Sequence, residues 1–595
     1  MTSALSSTRF RSHSLLFHTG ILLCGLLVLS SMRFLLLPRI GDGMYSVDGG
    51  QIQNFHNPLV FPSRGEKVMV AFELRVSSLY RPDFDLLADD CLQRLNVNGQ
   101  SAAISAPFCD TVQRRVQLRD LRPGSNRIVA EVRDTGGAGA FRLSVSRTDP
   151  VALTLAVLTL LLCCWFAWTA LGKFSKLKRL RWYIAVVTGG GLLRWLYMLA
   201  TPLYMRAHEW DREIEYIRYL LDHWHVPPAA VGWEFCQPPL YFALLAAYAR
   251  MASLAGQSFD MLFQAFQTGS LLLSVGTLIV AAWIAVQLFG TGARSRQGVL
   301  FLSLIASSTG LIFLSSAVNN DVLVTFLSFL SFALLLAWWR GGRNRLWIAF
   351  SVVFALAVLT KNTALPLAGV AGFCLFSARI PWRKRLTLGL WFLVIVVTLT
   401  GWLFMFRASE GSAGLVGNTA GLDPALRLHP TVNHLIGFNP HRVLEHPYVN
   451  PTGGEIDKEF FLEYLFRSSF FGEFRFDTAF AITSFLIMLF ALGGFIASAF
   501  GFLIVEGEGG YRRSFPLLAT FAMSLLFLLV GRIVYPYSTT QDFRYVPLLI
   551  VPVAYYAVRV AGTRSVLLMR ILTSILWALV FSETLFLLQV FFLAH

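Results

Sequence analysis

The feature that most constrains this 595-residue chain is a series of apolar segments, each about 20 residues long, that recurs from one end to the other. About twenty apolar residues in a helix cover roughly 30 Å, the thickness of the hydrocarbon core of a bilayer. Hydrophobic residues make up 55% of the chain and charged residues only 14%, with a mean hydropathy of +0.59. We therefore predict a polytopic α-helical membrane protein.

About 13 membrane spans are predicted, and the pair that meets at Lys361 is separated by only a very short turn. The predicted spans are 15–37, 151–169, 182–204, 263–289, 298–317, 322–339, 346–360, 363–378, 386–405, 478–503, 515–532, 544–561 and 567–592.

The net charge of +16 comes largely from short basic loops between these spans, such as 173–181, 294–296, 340–345 and 379–385. Lys and Arg in short loops mark the cytoplasmic side of a membrane. We therefore expect the N-terminus to be cytoplasmic and the C-terminus to be outside, in a bacterial inner membrane, with no nucleic acid as partner. The apolar spans also predict contact with membrane lipids.

The order of spans and polar stretches predicts four parts. These are an N-terminal transmembrane anchor at 1–41, an extracytoplasmic domain at 42–148, a second span with its basic cytoplasmic loop at 149–181, and a transmembrane domain at 182–595 with outer loops 205–262 and 406–477.

The extracytoplasmic domain reads as a β-sandwich. Segments 67–76, 112–118 and 127–132 are rich in β-formers with partial period-2 alternation, and turn signals such as Asn98-Gly99 separate them. Cys91 and Cys109 lie in this domain, where an oxidising compartment would allow a disulfide between them.

The outer stretch 208–241 concentrates acidic residues directly after an apolar span: Glu209, Asp211, Glu213, Glu215, Asp222 and Glu234. Carboxylates at a membrane boundary are retained when they have a function or stay solvated. If 209–224 is helical, Trp210, Ile214, Ile217, Leu221 and Trp224 form one apolar stripe. The acidic residues then have two interpretations. Either the first carboxylates point into a cavity and have a function, or they belong to a solvated helix face with ion pairs.

The second outer loop contains a segment, 455–476, that alternates aromatic and charged residues. This pattern is typical of a helix lying in the membrane interface. His434, His441 and Arg442 earlier in the loop are further candidates for contact with an acceptor.

Five short motifs fall on the predicted outer side. They are Gln237-Pro238-Pro239-Leu240-Tyr241, Val318-Asn319-Asn320-Asp321, Leu359-Thr360-Lys361-Asn362, Ser468-Ser469-Phe470-Phe471-Gly472-Glu473-Phe474 and Gln541-Asp542-Phe543-Arg544-Tyr545-Val546-Pro547. In this order, over 182–560 and about 11 spans, they resemble the GT-C superfamily of membrane glycosyltransferases, including the protein mannosyltransferase-like and aminoarabinose transferase-like families. The segments 88–99 and 121–126 loosely resemble galactose-binding-like jelly-roll modules, although a spacer domain that binds no sugar is the alternative.

The resemblance implies transfer of a sugar from a polyprenyl-phosphate donor to a glycan, lipid or protein acceptor outside the membrane. It places the general base on the acidic stretch, at Asp211 or Glu209. The family often has Asp and then His here, whereas this chain has Glu209 and Glu213 with Asp211 between them, so the choice between the carboxylates stays open. Other candidates for positioning the substrate are Asp321, Glu213, Glu234 and Gln237.

Lys361, Arg544 and Arg532 are the candidates for binding the lipid phosphate, since cations must meet the anionic leaving group. The alternative for Arg532 and Arg544 is snorkelling at a helix end, and for Asp321 it is a polar helix terminus that Asn319 and Asn320 cap. No zinc spacing and no Gly-rich nucleotide loop is present in the sequence. No metal ligand is therefore assigned, although a divalent metal is compatible with the resemblance.

Two other classes of function remain open. One is a transporter or flippase of lipid-linked sugars, which would place ionisable residues near the membrane midplane on broken helices, often in repeats. The other is a non-catalytic envelope protein that binds glycan through the β-sandwich.

Overall fold

In a computed structural model of the chain, the described residues are 24–593 apart from 26, 33–34, 56–58, 63–66, 90, 103–107, 110–113, 119, 134–137, 147–148, most of 152–179, 202–209, 230–231, 233, 255–261, 293–294, 411–423, 430, 508–510 and 563–566. Two compact units emerge, residues 1–181 with 592–595, and residues 182–591. The predicted span 151–169 and most of 15–37 lie outside the described residues.

The first unit contains eleven described strands. These are β1 (Arg39–Val47), β2 (Gln53–Phe55), β3 (Leu59–Pro62), β4 (Lys67–Val76), β5 (Phe84–Asp89), β6 (Cys91–Val97), β7 (Gln100–Ser101), β8 (Phe108–Cys109), β9 (Arg114–Val116), β10 (Gly124–Arg133) and β11 (Ala138–Val145). They pair antiparallel in a seven-stranded sheet, β2-β1-β4-β10-β6-β7 with β8 on β6, and a four-stranded sheet, β3-β11-β5-β9.

The two sheets share one hydrophobic core, so this unit is a β-sandwich. Along β4 every second residue from Val68 to Val76 is buried, and Phe84, Leu86 and Phe141 face them from the smaller sheet. This is the period-2 alternation that a strand with one buried face requires. Asn98 and Gly99 join β6 to β7 with φ of 53° and 85°, as a two-residue hairpin turn demands.

Cys91 is disulfide-bonded, and its partner in the strand register is Cys109 on β8. We expect Cys91→Ser to lower the free energy of unfolding of the sandwich by about 2–4 kcal/mol, because the crosslink restricts the unfolded chain. Limited proteolysis across a temperature series would measure the loss, with Cys236→Ser, at a cysteine that forms no disulfide, as the matched control. Reductant should sensitise wild type and leave Cys91→Ser unchanged; equal sensitivity of both proteins to reductant would contradict the prediction.

The second unit is helical. Its α-helices are α1 (Arg181–Ala200), α2 (Trp210–His223), α3 (Leu240–Leu254), α4 (Phe263–Phe289), α5 (Ser295–Ser307), α6 (Thr309–Phe313), α7 (Asn320–Gly341), α8 (Asn344–Thr360), α9 (Pro366–Ser377), α10 (Trp382–Ser409), α11 (Val432–Ile436), α12 (Pro440–Glu445), α13 (Glu455–Lys458), α14 (Phe461–Phe471), α15 (Ala481–Gly507), α16 (Tyr511–Val534), α17 (Ile550–Arg559) and α18 (Leu567–Leu593).

Seven of the described helices are long and apolar enough to cross a membrane, and the pair α5–α6, bent by 50°, adds an eighth if it forms one span. Every span predicted from residue 182 onward coincides with an apolar helix, which confirms a polytopic membrane protein. The spans predicted at 346–360, 363–378 and 544–561 are helices shorter than 18 residues. Helix α8 ends at Thr360 because Lys361 is extended, with φ −162° and ψ 139°.

Buried polar side chains contact the break between α5 and α6. Arg194 donates from Nη1 to the carbonyl of Ala306 over 2.8 Å, and this cation at the C-terminal end of α5 matches the dipole of that helix. Ser307, the last residue of α5, donates to the Glu583 carboxyl group over 2.6 Å. The break is therefore a supported element of the bundle.

The segment predicted as an interfacial helix, 455–476, contains α13 and α14, and two charged residues of α14 are buried in protein. Arg467 is fully buried and donates to the carbonyls of His446, Tyr448 and Ile456 over 3.1, 3.2 and 2.6 Å. Glu463 is also fully buried. The prediction of a surface helix is wrong for α14, because Arg467 binds loop carbonyls and the Glu463 carboxylate accepts from Asn439 and Arg442 rather than from water.

Candidate functional site

The acidic stretch forms helix α2, as the periodicity predicts. Ile214, Ile217 and Leu220 are buried, and the helix packs on α3. Of the predicted apolar stripe, Ile214 and Ile217 are therefore buried against protein, Leu221 is half-buried and Trp224 is 60% exposed. Glu215, Arg218 and Asp222 are exposed on the opposite side. This side of α2 is therefore the solvated helix face that was one of the two interpretations of the acidic stretch.

The three carboxylates at the start of the stretch differ. Glu209 lies outside the described residues, and Asp211 is in the first turn of α2 with a side chain that the structure does not describe. Glu213 is 3% exposed and lies close enough to Tyr216 and Tyr241 for its charge to act on their hydroxyls. Glu213, which was predicted to position the substrate, is therefore buried in the protein.

Trp224 ends α2 in the left-handed region, with φ 56°, and its amide donates to Leu220 O over 3.1 Å. A bulky residue in this conformation costs about 1–2 kcal/mol, and glycine is the usual occupant. We expect Trp224→Gly to raise the free energy of unfolding by about 1 kcal/mol and Trp224→Ala to give no such gain. Thermal unfolding in detergent would measure both; an equal gain with alanine would trace the effect to loss of the exposed ring instead.

The loop after α2 is held by an arginine that was not predicted as a site residue. Arg407, at the end of α10, donates to the carbonyls of Pro227 and Phe235 over 3.0 and 2.5 Å. Glu234 and Gln237 lie in this loop, and the Gln237 carbonyl accepts from Tyr216 over 3.1 Å. Pro238 and Pro239 are buried immediately before α3. The predicted rigid turn therefore links α2 to α3.

Lys361 and Asp321 form a buried ion pair, with 2.6 Å between Nζ and Oδ1. Asp321 is in the first turn of α7, where Asn319 caps the helix by accepting from the Asp321 amide, and Lys361 directly follows α8. Asp321 Oδ2 is buried and has no hydrogen-bond partner among the described residues. Asn319 therefore caps α7, as one of the two interpretations of this motif predicted. Asp321 is not only a polar residue at the helix terminus, because it is the counterion of Lys361.

Arg544 lies beside this pair, on the other flank of Tyr545. The Tyr545 ring centroid is 5.3 Å from Lys361 Nζ and 5.1 Å from Arg544 Cζ, and Arg544 Nη2 donates to the Tyr545 hydroxyl over 3.1 Å. Asp542 and Glu473 contact Arg544 at 3.3 and 3.9 Å. Three carboxylates thus surround two cations.

Protonation in this cluster follows from burial. Burial and the neighbouring Glu473 charge raise the pKa of Tyr464 well above its usual range, so its hydroxyl stays a donor to Glu473 over 2.6 Å. Burial also raises the pKa of Asp542, while the charge of Arg544 opposes that rise. Glu473 and Asp542 both occur in the motifs that carry the resemblance, but sequence order alone did not identify them as ligands of Arg544.

Tyr241 connects the acidic helix to the charged cluster. Its hydroxyl lies 3.4 Å from Ser270 Oγ, within hydrogen-bonding reach of the Asn319 amide and near Glu213. Asn319 is the residue that caps α7 at Asp321. Helix α2 and the Asp321–Lys361–Arg544 cluster therefore lie at the same end of the helical unit.

Arg532 lies apart from these groups. It is fully buried near the end of α16, and Nη2 donates to the Glu459 carbonyl over 2.8 Å with the Glu459 carboxylate at 3.5 Å. The snorkelling alternative is wrong for Arg532, because the side chain reaches protein and not the membrane surface. Its contacts anchor the start of α14 instead.

The loop candidates also have protein partners. Arg442 binds both carboxylate oxygens of Glu463, at 2.7 and 2.5 Å. His434 Nε2 lies 3.1 Å from Glu455, whereas the side chain of His441 is 77% exposed beside Glu445. The ion pair with Glu463 gives Arg442 a structural role.

Comparison with solved structures returns membrane transferases of the GT-C superfamily, the one that the motifs resemble. An oligosaccharyltransferase of Archaeoglobus fulgidus is 14% identical, with a TM-score of 0.38 over 69% of this chain and 55% of that one. ArnT of Cupriavidus metallidurans is 15% identical, with a TM-score of 0.31 over 68% of this chain and 77% of the ArnT chain. The arabinosyltransferase EmbB of Mycobacterium smegmatis is 13% identical, with a TM-score of 0.34 over 92% of this chain and 53% of the EmbB chain.

No protein-family model and no curated protein sequence matches the chain. The chain spans about half the length of the oligosaccharyltransferase and EmbB chains that it resembles. Identities near 14% and TM-scores below 0.5 do not assign an activity, so a function has to be argued from the residues of the site itself.

Proposed function

We propose that this integral membrane protein is a glycosyltransferase that moves a sugar from a polyprenyl-phosphate donor to an acceptor outside the membrane. The carrying observation is that α3, which packs on the acidic helix α2, also contacts α7 and α8, at whose ends Asp321 and Lys361 form their ion pair. Transfer from a lipid phosphate needs a base for the acceptor and cations for the leaving group. Both kinds of group lie at this end of the helical unit.

The proposed base is Asp211, with Glu209 as the alternative. The acceptor hydroxyl or amine loses its proton to the carboxylate while its oxygen or nitrogen attacks the anomeric carbon, and the bond to the phosphate oxygen breaks. Asp211 precedes Glu213 by two residues on α2. Burial of Glu213 fixes the backbone of the first turn of α2, where Asp211 lies.

Lys361 and Arg544 are the proposed contacts of the departing phosphate. An ammonium group has three donors and a guanidinium five. Among the described residues, the hydrogen bonds and ion pairs of Lys361 use one donor, and those of Arg544 use Nε and Nη2. The remaining donors are available to phosphate oxygens, while Asp321 and Glu473 hold the two cations in orientation. Arg532, bound to Glu459, is proposed to position the outer loop.

Asp321 is proposed to position the substrate through Lys361, because its carboxylate holds the Lys361 ammonium at 2.6 Å. No group of three potential metal ligands occurs among the described residues. We therefore assign no residues to a metal.

Two observations support the outward orientation. The disulfide at Cys91 forms in an oxidising compartment, which favours an extracytoplasmic sandwich. The basic loops lie at the opposite helix ends from Asp321 and Lys361, as the positive-inside rule requires for an outward site.

The test uses purified full-length protein in lipid bilayers with a panel of radiolabelled polyprenyl-phosphate sugars and envelope lipids, glycans and proteins as acceptors. We expect one donor to transfer label to one acceptor class, and removal of residues 42–148 to leave transfer measurable. Folded protein that transfers no label with any donor contradicts the proposal. Movement of intact donor across vesicles without transfer would indicate a flippase.

The broken helix α5–α6 is the one observation that favours a transporter, since transporters bind substrates at such breaks. Here Arg194 and Glu583 already contact the two ends of the break. These two side chains therefore stabilise the helix ends. A glycosyltransferase accounts for more of the residues in the site than a transporter does.

A further inference from the structure

Helix α6, the short helix that follows the break, packs against two elements near Arg544. One is α14, and the other is the single 3₁₀ turn Phe543–Tyr545, which carries Arg544 itself. Arg194 and Glu583 already hold the end of α5 from which α6 continues. Helix α6 therefore joins a fixed point inside the bundle to a proposed contact of the departing phosphate.

The first contact of α6 is made by Thr309. Its hydroxyl donates to the carbonyl of Phe470, one residue before the end of α14. The last four carbonyls of an α-helix have no partner within the helix, so a side chain from another element can bind them. Thr309 is fully buried, which makes the loss of this hydrogen bond costly. The bond ties the C-terminal end of α14 to the first residue of α6.

The second contact is a close approach of two backbones at Gly310. A Cβ atom at this position would lie under 3.0 Å from the carbonyl oxygen of Ser469 and 3.4 Å from the ring of Phe543. The oxygen belongs to the backbone of α14, so it cannot rotate away as the end of a flexible side chain can. Gly310 has no positive φ. The position therefore requires the small size of glycine rather than its conformational freedom.

Ser468, next to these two carbonyls on α14, extends the contact to Arg544. Its Oγ accepts from the Phe543 amide over 3.0 Å and lies within hydrogen-bonding reach of the Asp542 carboxylate. That carboxylate accepts from the Arg544 amide over 3.2 Å and lies 3.3 Å from Arg544 Nε. The position of the end of α14 thus affects both the backbone of Arg544 and one of its counterions.

We propose that Thr309 and Gly310 are positioning residues for Arg544 in sugar transfer, acting through the end of α14. This inference rests on the proposed function, in which Arg544 contacts the departing phosphate. Negative charge develops on that phosphate in the transition state, and a misplacement of about 1 Å can lower the rate about 10²-fold. The 50° bend after α5 then has a role in the transferase, because it directs α6 onto α14.

The first test is a double-mutant cycle on radiolabel transfer by the full chain in lipid bilayers. Gly310→Ala should lower kcat at least tenfold and change KM for the acceptor much less, and Arg544→Gln should lower kcat about 10²-fold. If Gly310 acts through Arg544, its replacement in the Arg544→Gln background should cost less than about threefold. Equal losses in both backgrounds overturn the proposal, as does full activity of Gly310→Ala.

Gly372→Ala is the matched control. Gly372 is also inside a helix, α9, and a Cβ atom there would meet no neighbouring element within 4 Å among the described residues. It should transfer label at the wild-type rate. Thr309→Val and Thr309→Ser keep the test decisive if Gly310→Ala does not fold. The valine variant lacks the hydroxyl and should lose activity, whereas the serine variant should keep most of it; equal activity of the two contradicts the role of the hydrogen bond.

Hydrogen exchange followed by mass spectrometry tests the same contacts without any substrate. In Gly310→Ala and Ser468→Ala, the Phe543 amide in peptide 541–546 should exchange at least tenfold faster than in wild type or Gly372→Ala. Unchanged exchange in Gly310→Ala overturns the proposal whatever its activity. Absence of transfer by the wild type contradicts the proposed function instead, and the exchange rates still decide whether α6 positions this segment.

Discussion

Asp211→Asn is expected to lower kcat for sugar transfer by about 10²- to 10⁴-fold, the contribution usual for a positioned general base. The amide keeps the size of the side chain but cannot take the acceptor proton. KM for the lipid-linked donor should change much less, because the base acts on the acceptor. Radiolabel transfer at saturating donor, after the donor panel has identified the sugar, is the measurement.

The same helix supplies the controls for this prediction. Glu215→Gln lies on the exposed face of α2 and should keep near wild-type kcat. Glu209→Gln tests the alternative base. A large loss in Glu209→Gln with full activity in Asp211→Asn would transfer the role to Glu209, and full activity in both variants would remove the acidic stretch from the chemistry.

Lys361→Met is expected to lower the free energy of unfolding by about 3–5 kcal/mol, because Asp321 would remain as a buried, unpaired charge. Lys361 is 8% exposed and Asp321 is fully buried, so water cannot compensate either of them. The double variant Asp321→Asn with Lys361→Met should recover much of this loss. Thermal or denaturant unfolding in detergent would measure it, and Lys384→Met, in the first turn of α10, is the control with little expected effect.

Activity separates the structural role of the pair from its proposed chemical role. If Lys361 contacts the leaving phosphate, the double variant is expected to regain stability and remain at least tenfold less active than wild type, because a cation is missing where negative charge develops. A double variant that regains both stability and activity would restrict Lys361 to a structural role. Loss of a single partner with no change in stability would contradict the ion pair.

Local patterns predicted much of the architecture. Each span expected after residue 182 is an apolar helix, and strand 67–76 begins and ends where the alternation does. Hydropathy and period-2 burial are properties of neighbouring residues, and they need no knowledge of the rest of the chain. The helix of the acidic stretch was predicted for the same reason, with its apolar stripe on Ile214 and Ile217.

Partners distant in sequence were not predictable in this way. Lys361 was predicted to bind phosphate without its counterion, and Asp321 lies 40 residues away on the preceding helix. Arg532 was grouped with Lys361 and Arg544, yet it binds Glu459, 73 residues earlier. Motif order placed all these residues on one side of the membrane, but it carried no information about which charge meets which.

The sequence by itself determined that this is a polytopic membrane protein with a β-sandwich near its N-terminus, because burial in lipid and in a strand core both leave a local periodic pattern. Only the tertiary structure decided that α2 packs on protein and that Glu473 and Asp542 flank Arg544. These features depend on how the helices pack against one another, and a charge buried by that packing has the same residue type as one exposed to water.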